Sequence, residues 1–187
     1  MRLFQIGARD GVRASATIVA LAILATVTFW STGTRALSKG DAVSAVKVKD
    51  SRDKDAAIPD IGVKVLALFY TDPDVQNQNE PFRELLNRSD LDVSKFRGLG
   101  VVNMKDTLLA NALIRSVVRG KEKKFNSLIL TDPAHILKNA WNLGECNGKD
   151  VVIIIGRDGR VKYFKAGKMS PAEMDSTLAL VRSLIAE

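Results

Sequence analysis

A run of five β-branched residues, Val151–Ile155 (VVIII), leads into Gly156–Arg160 (GRDGR) and then Val161–Phe164 (VKYF). An unbroken apolar run of this kind reads as a strand covered on both faces. The Asp158-Gly159 step is a strong hairpin signal, so the two strands must be antiparallel neighbours. Val63–Tyr70 (VKVLALFY) is a second nearly continuous apolar run. Two such strands demand a sheet with layers packed above and below it.

The rest of the chain supplies those layers. Thr71–Asn79 (TDPDVQNQN) reads as a loop and Glu80–Asn87 as a short helix with Phe82, Leu85 and Leu86 on one side. Arg97–Asn103 reads as a strand. Asp106–Arg119 has helical spacing and a broad apolar stripe. Asn126–Leu130 reads as another strand. Asp132-Pro133 is expected to open a helix, with Asp as cap and Pro in the first turn. Ser170, Pro171 and Glu173 form a capping-box signal for a last helix whose buried face holds Leu178, Val181 and Leu184. Strands separated by helices imply parallel pairing with right-handed crossovers. The expected fold is a three-layer α/β/α sandwich. Its mixed sheet has parallel core strands and a C-terminal β-hairpin followed by a helix, an order that resembles the thioredoxin arrangement.

The N-terminal part is different. Ala14–Trp30 carries no charge, Arg2, Arg9 and Arg13 precede it, and Ser31–Ala36 (STGTRA) follows with small residues. This basic, apolar, small-residue order is that of a secretory signal. Seventeen residues are also at the short limit for a spanning helix. Residues 1–36 are therefore expected to be a signal peptide or an N-terminal anchor. The charge asymmetry puts the following domain outside the cell membrane, which is the periplasm of a Gram-negative cell. Residues 37–60 read as a polar linker with one short edge strand in Val43–Val48, and 61–187 as the folded domain. Four of the basic residues behind the formal charge of +7 lie in the leader (Arg2, Arg9, Arg13 and Arg35), so a polyanionic partner is weakly supported. The densest basic stretch, Arg115, Arg119, Lys121, Lys123 and Lys124, reads as a solvated helix end, with an acidic partner or anionic membrane as the alternative. Aromatics are not interleaved with these bases, so no nucleic-acid partner is expected.

Three segments, VKVLALFYTDPDVQNQNEPFRELL, SLILTDPAHILKNAWNL and DVVIIIGRDGRVKYFKAG, resemble the peroxiredoxin and TlpA branch of the thioredoxin superfamily. With the helix LLANALIRSVVRGKEKKF, they are similar to the YtfJ family of periplasmic proteins. The resemblance spans about Val63 to Ile185. It implies a thioredoxin-like fold and an exported protein, and no reaction.

Thioredoxins carry a redox pair in F-W-A-x-W-C-x-x-C after the first core strand. Laying Phe69-Tyr70-Thr71 on F-W-A puts Asp74 and Asn77 at the two cysteine places. Dithiol exchange needs a thiolate and a second, resolving thiol, and neither place has sulfur. The family's cis-proline is also missing, with Gly148-Lys149-Asp150 in its stead. The single cysteine, Cys146, lies in Leu143–Asp150, a loop expected to face the same sheet end. The candidate binding residues are thus Thr71, Asp72, Asp74, Asn77 and Cys146, on the surface formed by Thr71–Asn79 and Leu143–Asp150. Asp74 also reads as an N-cap. No catalytic residue, cofactor or bound metal is expected. The expected role is a non-catalytic binding or accessory module with an envelope protein as partner and with membrane contact only through the N-terminal segment. Two alternatives stand beside it. One is a single-cysteine thiol redox protein using Cys146, where Lys149 lowers the thiol pKa and Glu145 raises it. The other is a carboxylate metal-binding or hydrolytic site at Asp72/Asp74. His135, the only histidine, reads as structural or solvated.

Overall fold

The computed structural model describes residues 35–125 and 127–187. The leader expected over 1–36 therefore lies outside the described residues except for Arg35 and Ala36, as does Asn126. Among the described residues no helix is long and apolar enough to cross a membrane.

The elements are β1 (Lys47–Lys49), β2 (Asp55–Ala57), β3 (Val65–Thr71), a 3-10 turn (Pro73–Val75), α1 (Glu80–Asn87), β4 (Phe96–Asn103), α2 (Asn111–Phe125), β5 (Ile129–Asp132), α3 (Ile136–Ala140), β6 (Asp150–Ile155), β7 (Val161–Ala166) and α4 (Pro171–Ala186). They build one seven-stranded mixed sheet in the order β2-β1-β5-β4-β3-β6-β7. β3 is central. It pairs in parallel with β4 and antiparallel with β6, while β5 runs parallel to β4. The thioredoxin-like mixed sheet closed by a terminal helix is what the sequence pattern implied.

Every residue of β3 is buried, so its side chains feed both faces in alternation. Leu66, Leu68 and Tyr70 pack with Leu99, Leu130, Trp141 and Ile153 on one face. Val65, Ala67 and Phe69 pack with Phe82, Leu86, Val181 and Leu184 on the other, under α1 and α4. α2 adds Ile114 and Val118 against Met104, Val102 and Ile129.

The polar 37–60 stretch is more than a linker. Its first strand is Lys47–Lys49 rather than Val43–Val48, and a second strand, Asp55–Ala57, pairs with it and forms the edge of the sheet. Asp50 makes the turn by accepting from Arg52 N at 2.8 Å and Lys54 N at 2.9 Å. The mixed charges of this run thus serve one tight hairpin, whose β1 joins the sheet through Lys49 opposite Thr131.

Two helices start later than their spacing suggests. Residues 106–110 are outside α2 because Asp106 is drawn into long-range polar contacts and Thr107 Oγ1 accepts from Leu109 N at 3.2 Å. As a result Leu108 and Leu109, read as part of an apolar stripe, are exposed. α3 begins at Ile136, with His135 as its left-handed N-cap residue at φ 57°. Asp132 still satisfies its first turn from the end of β5, accepting from the N–H groups of Ile136, Leu137 and Lys138 at 2.7, 3.0 and 3.3 Å. Pro133 lies in the intervening turn. α4 has the expected box: Ser170 Oγ accepts from Glu173 N at 3.2 Å, and Glu173 accepts from Ser170 N at 2.7 Å.

Candidate functional site

β3 and β6 are antiparallel, so the end of β3 meets the start of β6, with Thr71 opposite Asp150. The loops expected to share a surface do meet here. Asp72 N donates to the Lys149 carbonyl at 3.1 Å, and Gly148 N donates to Asp72 Oδ2 at 2.7 Å. Asp150 N donates to Gln78 Oε1 at 2.9 Å.

Within this junction the capping role falls to Asp72, not Asp74. Asp72 is fully buried, and its Oδ1 accepts from Asp74 N at 2.9 Å at the head of the 3-10 turn. Both carboxylate oxygens of Asp72 are occupied by backbone N–H groups, which leaves it poorly disposed to ligate a cation. Asp74 is exposed on the short turn, where its Oδ1 accepts from Thr107 Oγ1 at 3.3 Å. Asn77 is exposed as well. The two cysteine places therefore lie in the turn region between β3 and α1, which starts only at Glu80.

Behind that turn lies a polar lock whose partners the sequence did not reveal. Thr71 Oγ1 donates to Asp150 Oδ1 at 2.7 Å. Arg83 Nη2 donates to Asp150 Oδ2 at 2.8 Å and to Thr71 Oγ1 at 2.9 Å. The Arg83 guanidinium also lies over the Phe69 ring, 4.4 Å from its centroid, a favourable cation–π position, and Nη1 donates to the Gln76 carbonyl at 3.1 Å. Asn79, buried at the head of α1, donates to the carbonyls of Asp150 at 3.3 Å and Gly167 at 3.1 Å, and accepts from Met169 N at 2.8 Å. Burial pushes the Asp150 carboxyl above its ordinary range, against the opposing pull of Arg83, Thr71 and Asn79. Arg83 and Asp150 are 67 residues apart, so no local spacing signals their pairing.

Cys146 belongs to the core rather than to a reactive mouth. It is fully buried in the cluster that holds Tyr70, Trp141 and Leu143. Burial is the main cause that pushes its thiol up to about 11; Lys138 and Lys149 oppose this, while Glu145 and Asp106 add to it. Both sequence-level influences, Lys149 and Glu145, are present, but desolvation outweighs them.

His135 sits in a second polar knot at the ends of β4 and β5. Its Nε2 lies 3.0 Å from Asp106 Oδ1. Asn103 Nδ2 donates to Asp106 Oδ2 at 2.7 Å, and Lys138 Nζ lies 3.5 Å from the same oxygen. Burial works against the Asp106 carboxylate, but these donors hold it below its ordinary range. Next to it, buried Tyr70 Oη donates to Asp132 Oδ2 at 3.1 Å. Three bases of the α2 stretch find partners within the chain: Arg115 pairs with Asp53, Arg119 Nη1 donates to the Ser51 carbonyl at 2.9 Å, and Lys121 Nζ donates to Gln76 Oε1 at 2.7 Å.

Residues 60–184 match the profile of a family described as bacterial protein of unknown function (YtfJ_HI0045). The chain belongs to this family. A Haemophilus influenzae relative, an uncharacterized protein, is 26% identical over 109 residues, which is 57% of this chain and 58% of the relative's length. The Escherichia coli uncharacterized protein YtfJ is 23% identical over 125 residues, covering 66% of this chain and 67% of that one. Among solved structures, the pneumococcal exposed lipoprotein thioredoxin Etrx1 from Streptococcus pneumoniae is similar with TM-score 0.57 at 16% identity, over 75% of this chain and 100% of that one. A peroxiredoxin-like protein from Aquifex aeolicus is similar with TM-score 0.56 at 15% identity, over 80% and 89%. At such identities the structural likeness speaks for the fold. The YtfJ family chain thus has a thioredoxin-like fold with a single cysteine.

Proposed function

We propose that this protein is an exported, non-catalytic binding or accessory module of the cell envelope, built on a thioredoxin-like scaffold. One observation carries the reading: the sheet end that would hold a redox pair is closed by the Thr71–Asp150–Arg83 lock, while the lone thiol is buried and raised to about 11. A thiol in that state is almost wholly protonated at neutral pH, and the thiolate is the reactive form. The exposed residues of the Thr71–Asn79 turn then serve as contact surface. Export is read from Arg2, Arg9 and Arg13 ahead of the uncharged Ala14–Trp30.

The test is a thiol titration of the purified protein with an aromatic disulfide reagent, native and in denaturant, next to an insulin-reduction assay. The expected result is no native reaction over the time in which the denatured protein reacts completely, and no reductase activity. Native reaction at the rate of a free thiol, or trapping of Cys146 in a mixed disulfide in cells, would overturn the reading in favour of single-cysteine redox chemistry. Cell fractionation with N-terminal sequencing checks export, with cleavage after Ala36 and a retained anchor as the two forms to separate; recovery in the cytoplasm would remove the envelope role.

A further inference from the structure

The last strand of the sheet, β7, has an outer edge that is only half covered. No strand lies beyond it among the described residues. Gly167 N donates to the Asp150 carbonyl at 3.0 Å, and this bond sets the phase of the β6–β7 ladder. Tyr163 and Lys165 then face β6 with their N–H and C=O groups, while Phe164 and Ala166 turn theirs outward. The start of β7 is already paired on that side by the chain's own residues. Gly40 N donates to the Val161 carbonyl at 2.8 Å, Val161 N to the Asp41 carbonyl at 2.9 Å, and Val43 N to the Gly159 carbonyl at 3.0 Å. This is antiparallel pairing, with Ala42 opposite Arg160. Upstream the chain peels away, and Leu37 N is held by the Asn142 carbonyl at 2.9 Å instead. Where it leaves, a groove of about 430 Å³ opens, with Lys162–Phe164 as its floor, Leu37 and Lys39 on one wall, and Thr177 and Leu180 of α4 on the other.

We infer that this groove receives an extended, acidic peptide segment of a partner protein, added as a strand to β7. Three features of the molecule select that occupant. The outward N–H and C=O groups of Phe164 and Ala166 need a strand, which is how exposed sheet edges recognise peptides. The walls present apolar side chains from both faces of the sheet edge, Leu37 and Phe164 on one face and Tyr163 and Leu180 on the other, matching the alternation of a strand. The rim carries bases that no carboxylate neutralises: Lys39 is exposed and has no partner among the described residues, and exposed Arg160 at the end of the floor donates to the neutral Gly40 carbonyl at 2.9 Å, whereas Lys162 is paired with Asp158 at 2.6 Å. This site lies apart from the Thr71–Asn79 surface and does not depend on it.

The probe is the acetylated, amidated hexapeptide Glu-Val-Glu-Val-Glu-Val, titrated into the full chain by calorimetry and by amide hydrogen exchange. Saturable binding is expected, with slowed exchange at Phe164 and Ala166. A peptide N-methylated at alternate amides should not bind. Ala166→Pro, which removes an outward N–H and no ladder bond, should weaken binding about tenfold, and Lys39→Glu should weaken it severalfold without disturbing the edge. Absence of binding at millimolar peptide overturns the proposal. So does binding that ignores N-methylation and both substitutions. Protection of the same amides on concentrating the protein alone, with a doubling of mass, would overturn it in favour of self-pairing.

Discussion

Asp150 is the carboxyl among the described residues that burial raises, even with Arg83 at 2.8 Å. A raised folded-state pKa means that the unfolded chain gives up this proton first. Stability from Asp150 is then fully present below its ordinary value near 3.8 and is lost as pH rises through the folded value. Asp150→Asn should therefore match the parent at pH near 4 and gain relative to it towards neutral pH, as urea unfolding at several pH values would record. A variant that loses ground steadily over that range would contradict this. Arg83→Met does the opposite: it leaves a buried carboxylate without its cation, and should cost about 3–5 kcal/mol at pH 7. A quieter residue is Thr177, 1% exposed with a hydroxyl that bonds nothing. The Tyr163 hydroxyl is its neighbour, but the geometry between them falls short of a hydrogen bond. Thr177→Val keeps the shape and removes the unpaired group, so it should raise stability by about 1 kcal/mol, or roughly 2–4 °C in Tm for a chain of this size.

Among the elements, those defined by local chemistry were the most legible in the sequence. α1 has the ends its composition suggests, and α4 begins at the Ser170–Glu173 box. β3 and β6 follow their apolar runs. Of the elements that shifted, α2 is governed by distant partners. α2 begins late because Asp106 answers to His135 and Lys138, side chains that follow it by 29 and 32 positions. The candidate site was legible as an absence of sulfur and as a meeting of two loops. Its lock was not, because it joins β3, α1 and β6, and because Asp72 rather than Asp74 caps the turn. α3 depends on a single carboxylate outside it. Asp132→Ala would strand three N–H groups and the Tyr70 hydroxyl, and should cost about 2–4 kcal/mol. Tyr70→Phe removes one of those bonds and should cost about 1 kcal/mol. Chemical denaturation followed by tryptophan fluorescence would report both, since Trp141 packs at the end of α3. Equal losses in the two variants would show that the cap carries little.

For the molecule as a whole, the 37–60 stretch is structural. Leu37, Val46, Val48 and Ile58 are buried in the same cluster as Leu66, Leu68 and Tyr70. At about 1.5–3 kcal/mol for each buried large side chain, their loss rivals the entire stability of an ordinary domain, about 5–15 kcal/mol. A chain cut before Asp60 should lose cooperative unfolding and its near-ultraviolet dichroism, although the family match begins at that residue. A cut chain that still unfolds in one sharp transition would show that β1 and β2 are ornament.

The central position of β3 has a bearing on time. Leu66 has Arg97 on one side and Ile155 on the other, so its second neighbour is made almost ninety residues after it. Contacts of such long sequence separation close slowly. During synthesis the greasiest segment of the chain thus waits, half-zipped at best, until little more than the final hairpin and α4 remain to be added. A polypeptide wired in this way cannot complete its central strand until most of it has been made, and it commits to its native topology only near the end.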